Sequence, residues 1–341
     1  MKICDKKQCT GCGACLNICP QKCISMEYDA EGFLFPFINT EECVGCKLCR
    51  NICPANQAFH NGNTIPETVI GCQILDKVTL HNSSSGGAFS AIAESVLESG
   101  GVVFASISDE TLLPYHILIR DKTQISKSQG SKYIQSDTRR TYSLAKEYLA
   151  QKRLVLYVGC PCQIAGLYTF LGSNQQDNLI TVDLICHGVG SAKMFLQEVK
   201  DLESLYHSKV VSFRFRSKER WSLGHYLCQI QMSNGKSVFI RGVRDKYVSC
   251  YLHEAIYRES CYQCPYAQVP RIGDFTIGDF VGIEKRLLPA GMYKRGMSVL
   301  LLNNEKAVRF FKQVVAKLWW IERPFEEAAS SNRNMTQSCK R

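Results

Sequence analysis

The 341-residue chain carries 41 Lys and Arg against 31 Asp and Glu, a formal net charge of +10, and is 45% hydrophobic. That is the composition of an ordinary water-soluble protein long enough for two or more domains. No apolar run reaches the roughly 18 residues a spanning helix needs, so no membrane span is expected. The segment after Met1, Lys-Ile-Cys-Asp-Lys, lacks the apolar core of a secretory signal, and 19 cysteines need a compartment that keeps thiols reduced; the expected location is cytoplasmic.

The stretch from Cys9 to Cys53 holds one cysteine pattern twice. Cys9, Cys12, Cys15 and Cys19 precede Pro20, and Cys43, Cys46, Cys49 and Cys53 precede Pro54. Each run reads C-x2-C-x2-C-x3-C-P, the spacing of bacterial ferredoxins with two 4Fe-4S clusters, in which the fourth cysteine of each run binds the other run's cluster. Cross-ligation assigns Cys9, Cys12, Cys15 and Cys53 to one cluster, and Cys43, Cys46, Cys49 and Cys19 to the other. Gly11, Gly13 and Gly45 free the backbone to approach the inorganic sulfides, and the prolines end regular structure after the fourth ligand. A zinc site uses the same residue types, but two identical runs favour iron-sulfur clusters over zinc or disulfides.

Residues 55 to 67 are polar and turn-rich and read as a linker, with a domain boundary near 65. Ser83-Ser84-Ser85-Gly86-Gly87 then precedes a helical period over Ala88 to Leu97, a turn that either caps a helix or holds a phosphate on free N–H groups. Val102 to Ser108 and Tyr115 to Arg120 read as strands, and Thr141 to Ala150 as a helix. Two strand-loop-helix units follow. Leu154 to Val158 runs into Gly159-Cys160-Pro161-Cys162-Gln163 and a helix to Leu171; Leu179 to Ile185 runs into Cys186-His187-Gly188 and a helix through Lys200. Cys162 and Cys186 therefore fall just past the C-terminal ends of parallel strands, where such sheets place ligands.

A basic segment from Lys209 to Lys246 is interleaved with the strands Val210 to Phe215, Tyr226 to Met232 and Ser237 to Arg241. It lacks any nucleic-acid motif, so an anionic cofactor, a docking surface or a merely solvated face explains it, and no nucleic-acid partner is expected. Cys261-x2-Cys264-Pro265 repeats the two-residue ligand spacing. Alone it is a zinc half-site or a redox dithiol; with Cys162 and Cys186 it completes a four-thiolate set drawn from three loops.

The strings GSKYIQSDT (130 to 138), VGCPCQIAGL (158 to 167), VDLICHGVGS (182 to 191), CYQCPYAQ (261 to 268) and DFTIGDFVGI (274 to 283) together resemble the coenzyme F420 hydrogenase/dehydrogenase beta-subunit family, from about residue 70 to 315. The resemblance implies a flavin-binding α/β domain with its own 4Fe-4S cluster, fused here to a two-cluster ferredoxin domain. Cys162, Cys186, Cys261 and Cys264 match the family's cluster cysteines, with Cys160 the competing thiol of the Cys-Pro-Cys run. Ser84, Ser85, Gly86, Gly87, Ser131, Lys132, Tyr133, Gln135 and Gln163 match the segments expected to line an FAD pocket. His187 is the candidate proton shuttle or a residue held for structure, and Asp279 touches cofactor or caps a turn. Val281 stands where relatives usually carry an aromatic residue, and the chain ends at Arg341 where many relatives continue.

The organisation expected is an α+β ferredoxin-like domain over 1–62, an α/β flavin-binding domain with a mixed, partly parallel sheet over 68–325, and a weakly structured tail over 326–341. The function implied is an FAD and iron-sulfur oxidoreductase that exchanges hydride with a deazaflavin or another metabolite and passes single electrons through the clusters, with a redox protein as a further partner. The alternative is a non-catalytic electron-transfer subunit feeding a separate catalytic chain, in a setting such as cell-surface polysaccharide synthesis. Cys4, Cys23, Cys72, Cys228, Cys250 and Cys339 have no partner pattern and read as ordinary thiols.

Overall fold

The structure, a computed structural model, describes residues 2–57, 63–66, 68–172, 176–219 and 227–340. Much of the expected linker, together with Arg220 and Tyr226 of the basic segment, lies outside the described residues.

In the N-terminal module β1 (Ile24–Tyr28) and β2 (Leu34–Ile38) form an antiparallel hairpin, with Tyr28 opposite Leu34. Each cysteine run carries a short helix, Ala14–Ile18 in the first and Leu48–Asn51 in the second, and the two helices pack together. Gly13 precedes the first helix with φ +80°, and a Cβ there would lie 2.2 Å from the Thr138 hydroxyl. The turn is therefore glycine both for its left-handed backbone and because the rest of the molecule presses against it.

The core is an eight-stranded sheet. Its strands are β3 (Thr68–Ile74), β4 (Val102–Ser108), β5 (Pro114–Ile119), β6 (Val155–Gly159), β7 (Leu179–Leu184), β11 (Phe275–Asp279), β12 (Ser298–Leu302) and β13 (Leu318–Arg323); a separate three-stranded antiparallel sheet is built from β8 (Val210–Ser217), β9 (Leu227–Met232) and β10 (Ser237–Arg241). In space the large sheet runs β13-β3-β12-β11-β7-β6-β4-β5. The pairs β4/β6, β6/β7 and β7/β11 are parallel, and the remaining pairs are antiparallel. The sheet is thus mixed and partly parallel, as expected. The central strands are nearly unbroken apolar runs because helices cover both faces.

Alternation along each strand sorts side chains between two layers. Val103, Ala105, Leu156 and Ile180 face the helices Ala88–Glu98 and Glu305–Val314. Val102, Phe104, Val155 and Tyr157 face the helices Thr141–Ala150 and Pro161–Leu171, and Cys12 and Ala14 of the N-terminal module join that layer. Val69, Val299 and Leu301 are covered by Ala328 and Met335 of the C-terminal segment. The tail expected to be weakly structured therefore carries a helix, Phe325–Ser330, and a further helical turn, Arg333–Met335. Its ordering comes from two side chains that bury completely, a contact no local pattern announces.

The parallel strands are tied at their ends by buried charge. Asp183 of β7 accepts from Arg271 at 2.9 Å and from the N–H groups of Ile272 and Gly273, and both charged side chains are fully buried. Asp274 accepts from the Thr181 N–H and hydroxyl and pairs with Lys306. Breaking a buried pair leaves an uncompensated charge. Asp183→Ala is expected to destabilise the fold by about 3–5 kcal/mol, measured as loss of thermal stability with the cysteine content unchanged.

Candidate functional site

Three cavities gather the cysteines. The first is lined by Cys9, Cys12, Cys15 and Cys53, with Cys4 beside them. The second is lined by Cys19, Cys43, Cys46 and Cys49, with Cys23 beside them. Each cavity thus takes three cysteines from one run and the fourth from the other, the crossed partition read from the spacing. The first set is buried throughout, whereas Cys46 is exposed next to the exposed side chains of Val44 and Leu48.

The third cavity, of about 650 Å³ including its open mouth, lies past the ends of β6 and β7. Cys160 and Cys162 come from the start of the helix after β6, Cys186 from the loop after β7, and Cys261 and Cys264 from the loop before β11. The Cys160 and Cys186 sulfurs are 3.7 Å apart. Cys339 of the tail also reaches this cavity, bonding the His187 carbonyl and accepting from Asn334 Nδ2 at 3.1 Å. Thr10 lines both the first and the third cavity, and a Cβ at Gly166 would sit 2.9 Å from Cys12 Sγ, so the two cavities stand back to back.

Burial sets the chemistry of these thiols. It pushes Cys12 up to about 12 and Cys264 up to about 11, so in an apolar shell they keep their protons until a metal replaces them. Cys9 runs the other way: its hydrogen bond with Cys4, followed by the Arg258 guanidinium, brings it down to about 6.

A second constellation surrounds the serine-glycine turn. Ser84 Oγ accepts from the Ser131 N–H at 2.6 Å, Ser85 Oγ donates to the Met297 carbonyl at 2.6 Å, and the Gly86 N–H donates to Ser298 Oγ at 2.9 Å. Gly87 has no side chain to cap the helix it starts. Among the described residues Lys132 Nζ donates to the carbonyls of Ser128, Gln129 and Gly130, and Lys218 Nζ to those of Leu80 and Ser85. Arg214 donates to the Asn82 carbonyl, and Arg216 pairs with Asp279. Burial, reinforced by Arg214, brings Lys132 down to about 7; burial, reinforced by Arg216 and Arg214, does the same to Lys218. Among the described residues neither lysine has a carboxylate within ion-pair distance. The strand β8 of the basic segment thus delivers its cations to this turn.

Residues 152–327, more than half of the chain, match the C terminus of the coenzyme F420 hydrogenase/dehydrogenase beta subunit. Residues 69–140 match the N-terminal part of the same protein, and residues 8–57 match a 4Fe-4S dicluster domain. The chain belongs to the coenzyme F420 hydrogenase/dehydrogenase beta-subunit family. Among solved structures it is similar to a chain of the F420-reducing [NiFe] hydrogenase complex from Methanosarcina barkeri, at 17% identity and a TM-score of 0.55, covering 80% of this chain and 89% of that one. Comparison with curated proteins gave no match. Among the described residues no helix is long and apolar enough to cross a membrane.

Within this beta-subunit fold the residues expected to line an FAD pocket separate into two places. Ser84, Ser85, Gly86, Gly87, Ser131 and Lys132 lie together at the cationic turn. Gln135 and Gln163 lie at the third cavity with their amides engaged: Gln135 Nε2 donates to the carbonyls of Thr10 and Gly11 at 3.1 Å, and Gln163 accepts from the Cys160 N–H and donates to the Ser136 carbonyl. The Tyr133 ring stacks on Tyr251 at 4.4 Å, and its carbonyl accepts from Tyr247. His187 is exposed at the mouth of the third cavity, and Asp279 is among the charges acting on it. Cys4, Cys23 and Cys339, read as ordinary thiols, each lie against a cysteine set; the only local signal was their closeness in sequence to a run, and Cys339 lacked even that.

Gln135 is the hinge pin between core and N-terminal module. Gln135→Leu would leave two buried carbonyls and one guanidinium donor without partners, each costing about 1–3 kcal/mol. A lowered unfolding temperature and faster loss of iron to a chelator are the expected readouts.

Proposed function

We propose that this chain is an FAD-dependent iron-sulfur oxidoreductase with a third 4Fe-4S cluster in its core. The observation that carries the reading is the crowding of thiols in one cavity past the parallel strands, back to back with the first ferredoxin set. Cys162, Cys186, Cys261 and Cys264 supply four thiolates from three loops, the donor set such a cluster needs. The family motif favours Cys162 as the ligand, with Cys160, whose sulfur lies 3.7 Å from that of Cys186, as its neighbour.

The cationic turn fits the diphosphate of FAD. Two lysines held near neutrality by burial, an arginine donating to a carbonyl and an uncapped helix start are donors awaiting an anion. Bound flavin converts between hydride and single electrons, which clusters alone do not. The chain's own residues bind the diphosphate at Lys132, Arg214 and Lys218, and Asn334, Ser338 and Cys339 of the tail line one side of the third cavity. His187 lines that cavity within the influence of Asp279 and Arg216, where a proton can be held. The organic partner in this reading is a deazaflavin or another reducible metabolite. The exposed Cys46 edge supports a protein partner at the second cluster, in the cytoplasm.

Anaerobically prepared protein is expected to hold about twelve irons and as many acid-labile sulfides. Cys264→Ser should remove about four of the irons and Cys160→Ser none; zinc in place of iron would sink the assignment.

FAD should bind most tightly below pH about 7, where Lys132 and Lys218 are both charged, and more weakly as rising pH removes their protons. Lys218→Met should weaken FAD binding by about tenfold and flatten that dependence in a fluorescence titration. Binding that ignores both pH and substitution would place the flavin elsewhere or nowhere.

A further inference from the structure

Arg258 lies in the core domain, just before Cys261, and is 1% exposed. Its guanidinium reaches into the N-terminal module. Nε donates to the Cys9 carbonyl at 2.6 Å, and Nη1 donates to the Leu34 carbonyl at 2.9 Å and to Gln135 Oε1 at 3.0 Å. The cation stands 4.0 Å from the Phe35 ring centroid. Every acceptor is neutral. Among the described residues the buried Nη2 has no hydrogen-bond partner and no carboxylate lies within ion-pair distance of the group.

A buried cation with no counter-charge is among the most expensive arrangements in a protein. The other fully buried arginine here, Arg271, is paired with Asp183 at 2.9 Å, so this fold supplies a carboxylate where it needs one. At Arg258 the nearby groups that become anionic are Cys9 of the first set, whose carbonyl Arg258 already holds, and, with a weaker influence from the cation, Cys261 of the third set. A 4Fe-4S cluster on four thiolates is anionic in both of its working oxidation states, and more so when reduced.

We propose that Arg258 is the counter-ion of the first ferredoxin cluster, supplied by the core domain, and that it raises that cluster's reduction potential above what the N-terminal module alone would give. The fixed charge favours the reduced, more negative state, and net charge and hydrogen bonding are the levers by which a protein sets such a potential. The second set lies away from this cation, with exposed Cys46 facing solvent. The two ferredoxin clusters, identical in sequence spacing, are thereby made unequal, with the first the better electron acceptor and the one next to the third cavity. Arg258 acts as a positioning and tuning residue, and the inference rests on the cluster assignment proposed above.

The test uses the full chain purified anaerobically, with iron counted and each cluster's midpoint potential read by EPR-monitored redox titration in wild type, Arg258→Gln and Arg258→Lys. Gln keeps hydrogen-bonding capacity without charge, and Lys keeps charge without the fork. The expected result is a shift to more negative potential in Arg258→Gln that is largest at one ferredoxin midpoint and absent at the other, and recovery of most of that shift in Arg258→Lys. Loss of the first cluster's iron in the Gln variant and its retention in the Lys variant would equally show that the charge is what the site requires. The inference is overturned if Arg258→Gln keeps its iron and every midpoint stays put, or if Gln and Lys lose the same irons. Wild-type protein without iron would instead refute the underlying cluster assignment.

Discussion

The structure depends on one seam, the docking of the cysteine-rich N-terminal module onto the helices that cover one face of the large sheet. Much of the seam pairs backbone carbonyls of the module with side-chain donors of the core, and Asn17 adds the reverse bond, donating to the Arg139 carbonyl. Carbonyls of the first cysteine run accept from Arg258, Gln135, Thr138 and Tyr142. Further along, the carbonyls of Glu31 and Ala30 accept from Ser191 and Lys193. Buried carbonyls need partners as much as buried N–H groups do, so the module's loops, too irregular to satisfy themselves, borrow donors from the core. The module and the core thus share one continuous set of hydrogen bonds.

That seam also explains the order of the cavities. Because Cys12 touches Gly166 and Thr10 borders two cavities, the first set is enclosed between the third set and the second. The second set keeps one edge in solvent.

Much of this was legible in the chain. The paired runs declare their own crossed partition because ligand spacing is a local property, and the strands that became β4, β6, β7, β8 and β10 stand within a residue or two of where periodicity put them, since each is a short apolar or alternating run between turns. What escaped needed distant contacts. The strand β3 is interrupted by Gly71, which must be small because Phe280 and Ile283 pack over it, so it lacks a clean pattern. The tail folds because Ala328 and Met335 bury. Arg214, Arg216 and Lys218 read in sequence equally as an anion site, a docking surface or a solvated face, and the fold brings them to the serine-glycine turn. Gln135 belonged to a segment expected beside flavin, yet its amide holds the first cysteine loop.

The shared wall at Thr10 joins two different enclosures. The first cavity is lined by the N-terminal module's own residues, from Ile3 to Ala55, whereas the third takes Thr10 from that module and its other lining residues from the core. The module therefore closes its first thiol set by itself, while the third cavity gains its full wall when the module is docked.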